Sequence, residues 1–401
     1  MATSLRLAGA PPEPAPGVPA WAAKGFRPFF LLAAAFAAVI VPAWLFAIEG
    51  VIRPDGYLDP MTWHAHEMLV GYTAAVIAGF LLTAVGNWTG RETAVGWPLV
   101  ALAALWLAGR VAFAAAASLP EAAVAALDLA FLPALALAIG RPLVATKNRR
   151  NYPVLVLVIA LWGANLAMHL DVLGYAPGWR WRATFVLVDL STLLILFFSA
   201  RIFPMFTRNA TGVATVRNVP SLDRATVAAM VALTLVDAAR PGHAIAPWLA
   251  ALVAALALAR SVTWGAQHTA RHPLLWILHL GHAWIVVGLA LRALAAVTDT
   301  VTLSSWVHAL TVGGIGCVTL GMIARVALGH SGRPLATTPL VMAAFALVGA
   351  SALVRVAGPF RTGWYEPALH TSGALFALAF AAYVLAYARI LTSPRADGKP
   401  G

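Results

Sequence analysis

The sequence predicts an all-α integral membrane protein, with twelve transmembrane helices in three pseudo-symmetric four-helix units and both termini in the cytoplasm. Three observations predict it. Of the 401 residues, 61% are hydrophobic and only 10% charged, and the mean hydropathy is +0.82. That is more apolar surface than a soluble domain of this length can bury, and a bilayer accommodates it. The basic residues favour one side of the apolar runs, and several landmarks recur with a common period.

The elements follow in order. Backbone groups inside lipid must bond internally, so spans are helices or a closed barrel. The apolar runs here are about 20 residues long, the length of a helical span. They are rich in Ala, Leu and Val and do not alternate with period two, which points to helices. Spans fall near 29–48, 66–85, 97–117, 121–139, 153–173, 183–205, 224–239, 245–264, 274–297, 305–328, 338–357 and 369–391, the seventh being the shortest. Residues 1–24, rich in Pro and Ala, read as a disordered cytoplasmic tail, residues 25–392 as one membrane domain, and 393–401 as a second cytoplasmic tail. With the N-terminus inside, 19 of the 27 Lys and Arg residues fall on the cytoplasmic side, which supports an even number of spans. The net charge of +12 therefore reflects membrane topology and not nucleic-acid binding. Cys317 is the sole cysteine, which excludes a disulfide framework or a cysteine metal cluster within the chain.

The repeat rests on three landmarks. Pro28, Pro153 and Pro273 each open an outward-going span. Gly90, Gly212 and Gly332 each follow an inward-going span, and Pro98, Pro220 and Pro339 come next. All three series share a spacing of about 120 residues, which marks repeats near 25–140, 150–266 and 270–392. Spans two and ten align best: His66 falls on His308, Val70 on Val312, Gly71 on Gly313, Val76 on Val318, Gly79 on Gly321 and Arg91 on Arg333. Small residues at such positions let helices approach closely.

Candidate chemistry lies with the eleven histidines. His64, His66, His169, His308 and His370 fall near the outer ends of spans. Glu67, Arg110, Asp128, Asp189, Asp237 and Arg292 share that half, and ionisable groups at membrane depth default to paired or functional roles. Arg110 is expected to pair with Asp128 on the adjacent span. His64 and His66 are two residues apart, about 200° around a regular helix, so either they are placed to serve centres on opposite sides of span two or one sits in the loop before it. The repeat places His66 and His308 at one depth, where two neutral imidazoles can supply both axial ligands of a low-spin haem, with Arg110 and Arg292 as propionate partners. His64, His169 and His370 remain as candidate copper ligands on the outer side. His279 and His330 are weaker candidates for a metal on the inner side; His282 shares a helix face with His279.

These residues sit in recognisable motifs. GFRPFF (25–30), WHAHEM (63–68), AGFLLTAVGNWTG (78–90), RIFPMFTRNATG (201–212), HPLLWILHLGHAW (272–284) and HALTVGGIGCVTLGMIARVALGHSGRP (308–334) together resemble the NnrS family. The resemblance runs from about residue 25 to 390. It implies a multi-pass protein of the bacterial inner membrane that binds haem b and copper and is associated with nitric oxide and nitrosative stress. It carries the family's histidine motifs onto His64, His66, His279, His308 and His330. The family usually has Pro where this chain has Gly86, and often an aromatic where it has His282. More distantly, the twelve-helix plan is similar to the catalytic subunit of haem-copper oxidases. However, span six carries Asp189 and Ser191 in place of a His-Pro-Glu-x-x-Tyr motif, and span seven has no His-His pair.

Two functions compete on this reading. One is a haem and copper protein that handles nitric oxide or transfers electrons near the periplasmic face, with nitric oxide and an electron donor as partners besides the lipid bilayer. The other is a proton-coupled secondary transporter, for which inverted six-helix halves would be expected.

Overall fold

The computed structural model describes residues 18–52 and 56–399, and the expected N-terminal tail falls mostly outside this range. Within it, Ala20–Ala22 form a short 3₁₀ turn, Ala22 is buried, and the Gly96 N–H donates to the Ala22 carbonyl at 2.8 Å.

All regular structure among the described residues is helical. The long helices are α1 (Phe26–Ile48), α2 (Pro60–Thr89), α3 (Trp97–Ala114), α4 (Glu121–Ala145), α5 (Tyr152–Val172), α6 (Trp179–Thr211), α7 (Pro220–Ala239), α8 (Ala246–Trp264), α9 (Pro273–Leu294), α10 (Leu303–His330), α11 (Pro339–Ala357) and α12 (Tyr365–Thr392). Eleven of these are long and apolar enough to cross a membrane. The exception is α7, which has 20 residues but carries Asp223, Arg224 and Asp237. It packs between α6 and α8 as the seventh span would. A twelfth crossing and the cytoplasmic placement of both termini remain expectations.

The landmarks of the repeat acquire physical roles. Gly90, Gly212 and Gly332 have φ of 64°, 69° and 70°, the left-handed conformation that ends a helix and that glycine adopts without strain. Pro98, Pro220 and Pro339 stand in the first turns of α3, α7 and α11, where a missing N–H costs nothing.

Burial separates the helices into two shells. The most apolar windows of α2, α6 and α10 are 83%, 78% and 72% buried within the protein, whereas those of the other candidate spans are 33–50% buried. These three helices, the second of each expected unit, are therefore the most enclosed by the rest of the protein. Glycines repeated between α2 and α10 allow this packing. A Cβ on Gly71 or Gly79 would meet Phe36 or Phe30 of α1 at 2.7 Å, and one on Gly321 would meet Ile277 of α9 at 2.7 Å. The ring closes where α12 packs on α1, with the buried Arg27 donating to the Leu391 carbonyl at 3.2 Å.

Two of the central helices share an irregularity. A π-helical segment, Glu67–Thr73, follows His66 in α2, and another, Ala309–Gly316, follows His308 in α10. Such wide turns often mark functional sites, because they shift which side chains face a cavity.

Candidate functional site

The structure sorts the candidate residues into separate neighbourhoods. The first is a cavity of about 370 Å³ among α1, α2, α6, α10, α11 and α12. Its walls are mainly aliphatic and aromatic, with Trp44, Met68, Leu69, Tyr72, Phe185 and Phe376 prominent. His64 from α2 and His308 from α10 both line it. The His308 Nδ1 lies 2.7 Å from the Ser304 carbonyl, which can only accept, so Nδ1 carries the proton and Nε2 keeps its lone pair. The His64 ring stacks on Trp44 at 4.0 Å between centroids, and its Nδ1 is buried without a hydrogen-bond partner. Arg355 of α11 also lines the cavity. It is 3% exposed, donates to the Tyr365 hydroxyl at 3.4 Å, and its Nη1 is buried without a partner.

The second neighbourhood is a closed polar network on the other side of α2, among α2 to α5. The buried His66 donates from Nδ1 to Glu67 at 2.9 Å, while its Nε2 faces Asn165 Oδ1 at 3.0 Å and Asp128 Oδ2 at 3.3 Å. Asn165 donates its amide to Asp128 Oδ2 at 2.7 Å, and His169 Nε2 lies 3.0 Å from the same oxygen. The Tyr57 hydroxyl and His169 Nδ1 are 2.6 Å apart. Arg110 donates to Glu67 at 2.6 Å and to Asp128, so the expected Arg110–Asp128 pair is present.

The structure therefore parts the two histidines that the repeat pairs. His66 and His308 do not share a cavity; His64 and His308 do. The equal-depth reasoning ignored what each unit offers an imidazole. The first unit supplies Glu67 and Asp128, whereas the third has Ala309 in register with Glu67. Arg110 and Arg292 are likewise engaged elsewhere. Arg292 donates to Asp189 at 3.1 Å and to Asp237, beside a second cavity between α8 and α9. The polar residue that sequence reasoning missed is Arg355, one of eight basic residues on the expected outer side, with nothing local to single it out.

The expected copper set is divided too. His64 lines the cavity, His169 belongs to the network, and His370 lies half-exposed 3.3 Å from Glu49. On the inner side, His279 is 3.0 Å from the Thr207 hydroxyl and His282 donates to the Ala257 carbonyl at 3.1 Å. His330 packs on Phe26 instead, so these histidines do not converge. Among the described residues, the group whose ligand atoms do lie within 4.8 Å of one another is His66, Asp128 and His169.

Comparison with known proteins follows the geometry. A search among curated proteins returns no match. The family model described as NnrS protein matches residues 20–395, nearly the whole chain and both neighbourhoods of the site. The chain, multi-pass and helical throughout its described spans, belongs to the NnrS family.

Proposed function

We propose that the protein is a haem- and copper-binding protein of the bacterial inner membrane that takes part in the response to nitric oxide. The observation that carries this reading is the pairing of His64 and His308 across one largely apolar cavity. The volume lies within the range of about 300–1,000 Å³ usual for small-molecule and cofactor sites. Three features suit a haem b. His308 presents a bare Nε2, fixed by its bond to Ser304, as metal-ligating histidines require. His64 lines the same cavity, and its Nδ1 is buried without a hydrogen-bond partner. Arg355 is a buried cation with an unpartnered nitrogen, a complement to the carboxylate of a propionate.

A haem held by these residues would supply redox chemistry and a place for nitric oxide to bind. The chain's own residues set which of these prevails. Ligation by both imidazoles would favour electron transfer, whereas a His64 held against Trp44 would leave room for a small diatomic molecule beside His308. Apolar walls exclude water and favour a small uncharged molecule.

The test is an optical spectrum of purified protein from cells grown with iron and copper, together with metal analysis. The parent should show a Soret band and stoichiometric haem. His308→Ala and His64→Ala should each lose or shift that band, whereas His66→Ala should keep it. A Soret band lost in His66→Ala and intact in the other two would place the haem elsewhere.

A further inference from the structure

We infer that His66, His169 and Asp128 form a metal site, a two-histidine, one-carboxylate centre for a single copper ion, separate from the His64–His308 cavity. The inference deepens the copper part of the function proposed above and rests on it; the haem part is independent.

The case begins with lone pairs. Glu67 accepts the Nδ1 proton of His66, which leaves Nε2 of a neutral imidazole with its lone pair directed inward. That lone pair meets two further acceptors, Asn165 Oδ1 at 3.0 Å and Asp128 Oδ2 at 3.3 Å. Asn165 cannot be turned to relieve this, because its amide nitrogen already donates to Asp128 at 2.7 Å. The neutral His66 Nε2 therefore faces two oxygens with no proton of its own to offer them. Something positive belongs there.

Charge counting agrees. With neutral imidazoles the group holds one cation, Arg110, and two anions, Glu67 and Asp128. One negative charge is uncompensated, in a place where His66, Glu67, Asp128 and Asn165 are all at most 2% exposed. Burying an unbalanced charge at membrane depth is costly. Either a second proton on His66 or a metal cation corrects it, and monovalent copper does so in full.

The surrounding bonds favour the metal. The ligand atoms of His66, Asp128 and His169 lie within 4.8 Å of one another. Each imidazole has a partner for its outer nitrogen, Glu67 for His66 and the Tyr57 hydroxyl at 2.6 Å for His169. Such outer bonds orient the rings and raise their basicity. Asp128 is held by Arg110 through its other oxygen, Oδ1, and Oδ2, which accepts from Asn165, keeps a second lone pair for coordination. Imidazole suits copper, and two of the three ligands here are imidazoles.

The experiment uses the full-length protein in detergent, loaded with Cu(I) under reducing conditions and, separately, with Zn(II). Bound metal per chain is measured after removal of excess, alongside the Soret band. His169→Ala and Asp128→Asn should each lose one copper per chain while the Soret band is unchanged. Tyr57→Phe, which leaves the three ligands in place, should weaken copper binding by about 10-fold. X-ray absorption of the copper-loaded parent should show two imidazole nitrogens and an oxygen, a readout that needs no variant to fold. Copper retained in full by both ligand variants would overturn the site, leaving a proton-bearing network. So would a parent that binds no copper, or one whose copper is ringed by three or more imidazoles. A missing Soret band with copper still lost in the variants would sink the haem reading and leave this site standing.

Discussion

His64 and His66 stand two positions apart, and the structure sends one into the central cavity and the other into the polar network behind it. The 200° separation on a helix foretold the split; it did not say which side faced His308. That choice depends on residues far away in sequence, Asp128 and Asn165, whose approach to α2 is a tertiary event. Arg355 was illegible for the same reason: its isolation shows only once α11 and α12 are in place. Two predictions belong at this scale. Arg355→Leu should weaken haem retention without removing the axial ligands, seen as faster loss of the Soret band during detergent washing. Arg110→Leu leaves Glu67 and Asp128 buried without their cation, and breaking a buried pair in this way costs about 3–5 kcal/mol. The unfolding temperature in detergent should fall markedly, and the double change Arg110→Leu with Asp128→Leu should recover part of the loss.

At the scale of the element, the helices were largely legible because length, hydropathy and proline-glycine punctuation are local properties. The landmark glycines and prolines proved to be helix ends and helix starts. The π-helical segments of α2 and α10 were not legible, since periodicity reasoning assumes a regular turn. Span two also begins at Pro60, six residues earlier than expected, because Asp59 caps it: its carboxylate accepts from Met61 and Thr62 at 3.1 Å and 3.0 Å. The repeated glycines offer a test of the central packing. A Cβ on Gly321 would meet Ile277 and Leu278 at 2.7 Å and 2.8 Å, whereas one on Gly163 of α5 meets nothing within 4 Å. Gly321→Val should therefore destabilise the protein by about 1–3 kcal/mol, the usual cost of overpacking. Gly163→Ala should leave the unfolding temperature unchanged, or raise it slightly as the better helix former.

For the whole molecule, the deep burial of α2, α6 and α10 is the arrangement that a threefold repeat would produce, with the cavity reached by helices of all three expected units and the polar network by those of the first together with α5 of the second. The orientation in the membrane is testable with little background, because Cys317 is the sole cysteine and is fully buried. Gly174→Cys, in the α5–α6 connection, should react with an impermeant thiol reagent in intact cells. Gly398→Cys should react only after the membrane is opened. The reverse pattern would invert the topology.

The central cavities also run in series. The histidine-lined cavity shares Thr73 and Ile315 with a smaller one of about 70 Å³, which shares Phe80, Phe198, Ile202 and Met322 with a third that reaches Arg150, Arg201 and His330. The middle chamber is walled almost wholly by hydrocarbon, including Phe30, Leu194, Phe203 and Val318. A hydrated ion entering it would shed its water with nothing to replace it, while a small gas would pass at little cost. A hollow through an energised membrane would ordinarily discharge the cell. Here the hydrocarbon waist of the series would act as an electrical insulator, so a membrane voltage would be held across it although cavities lie to either side.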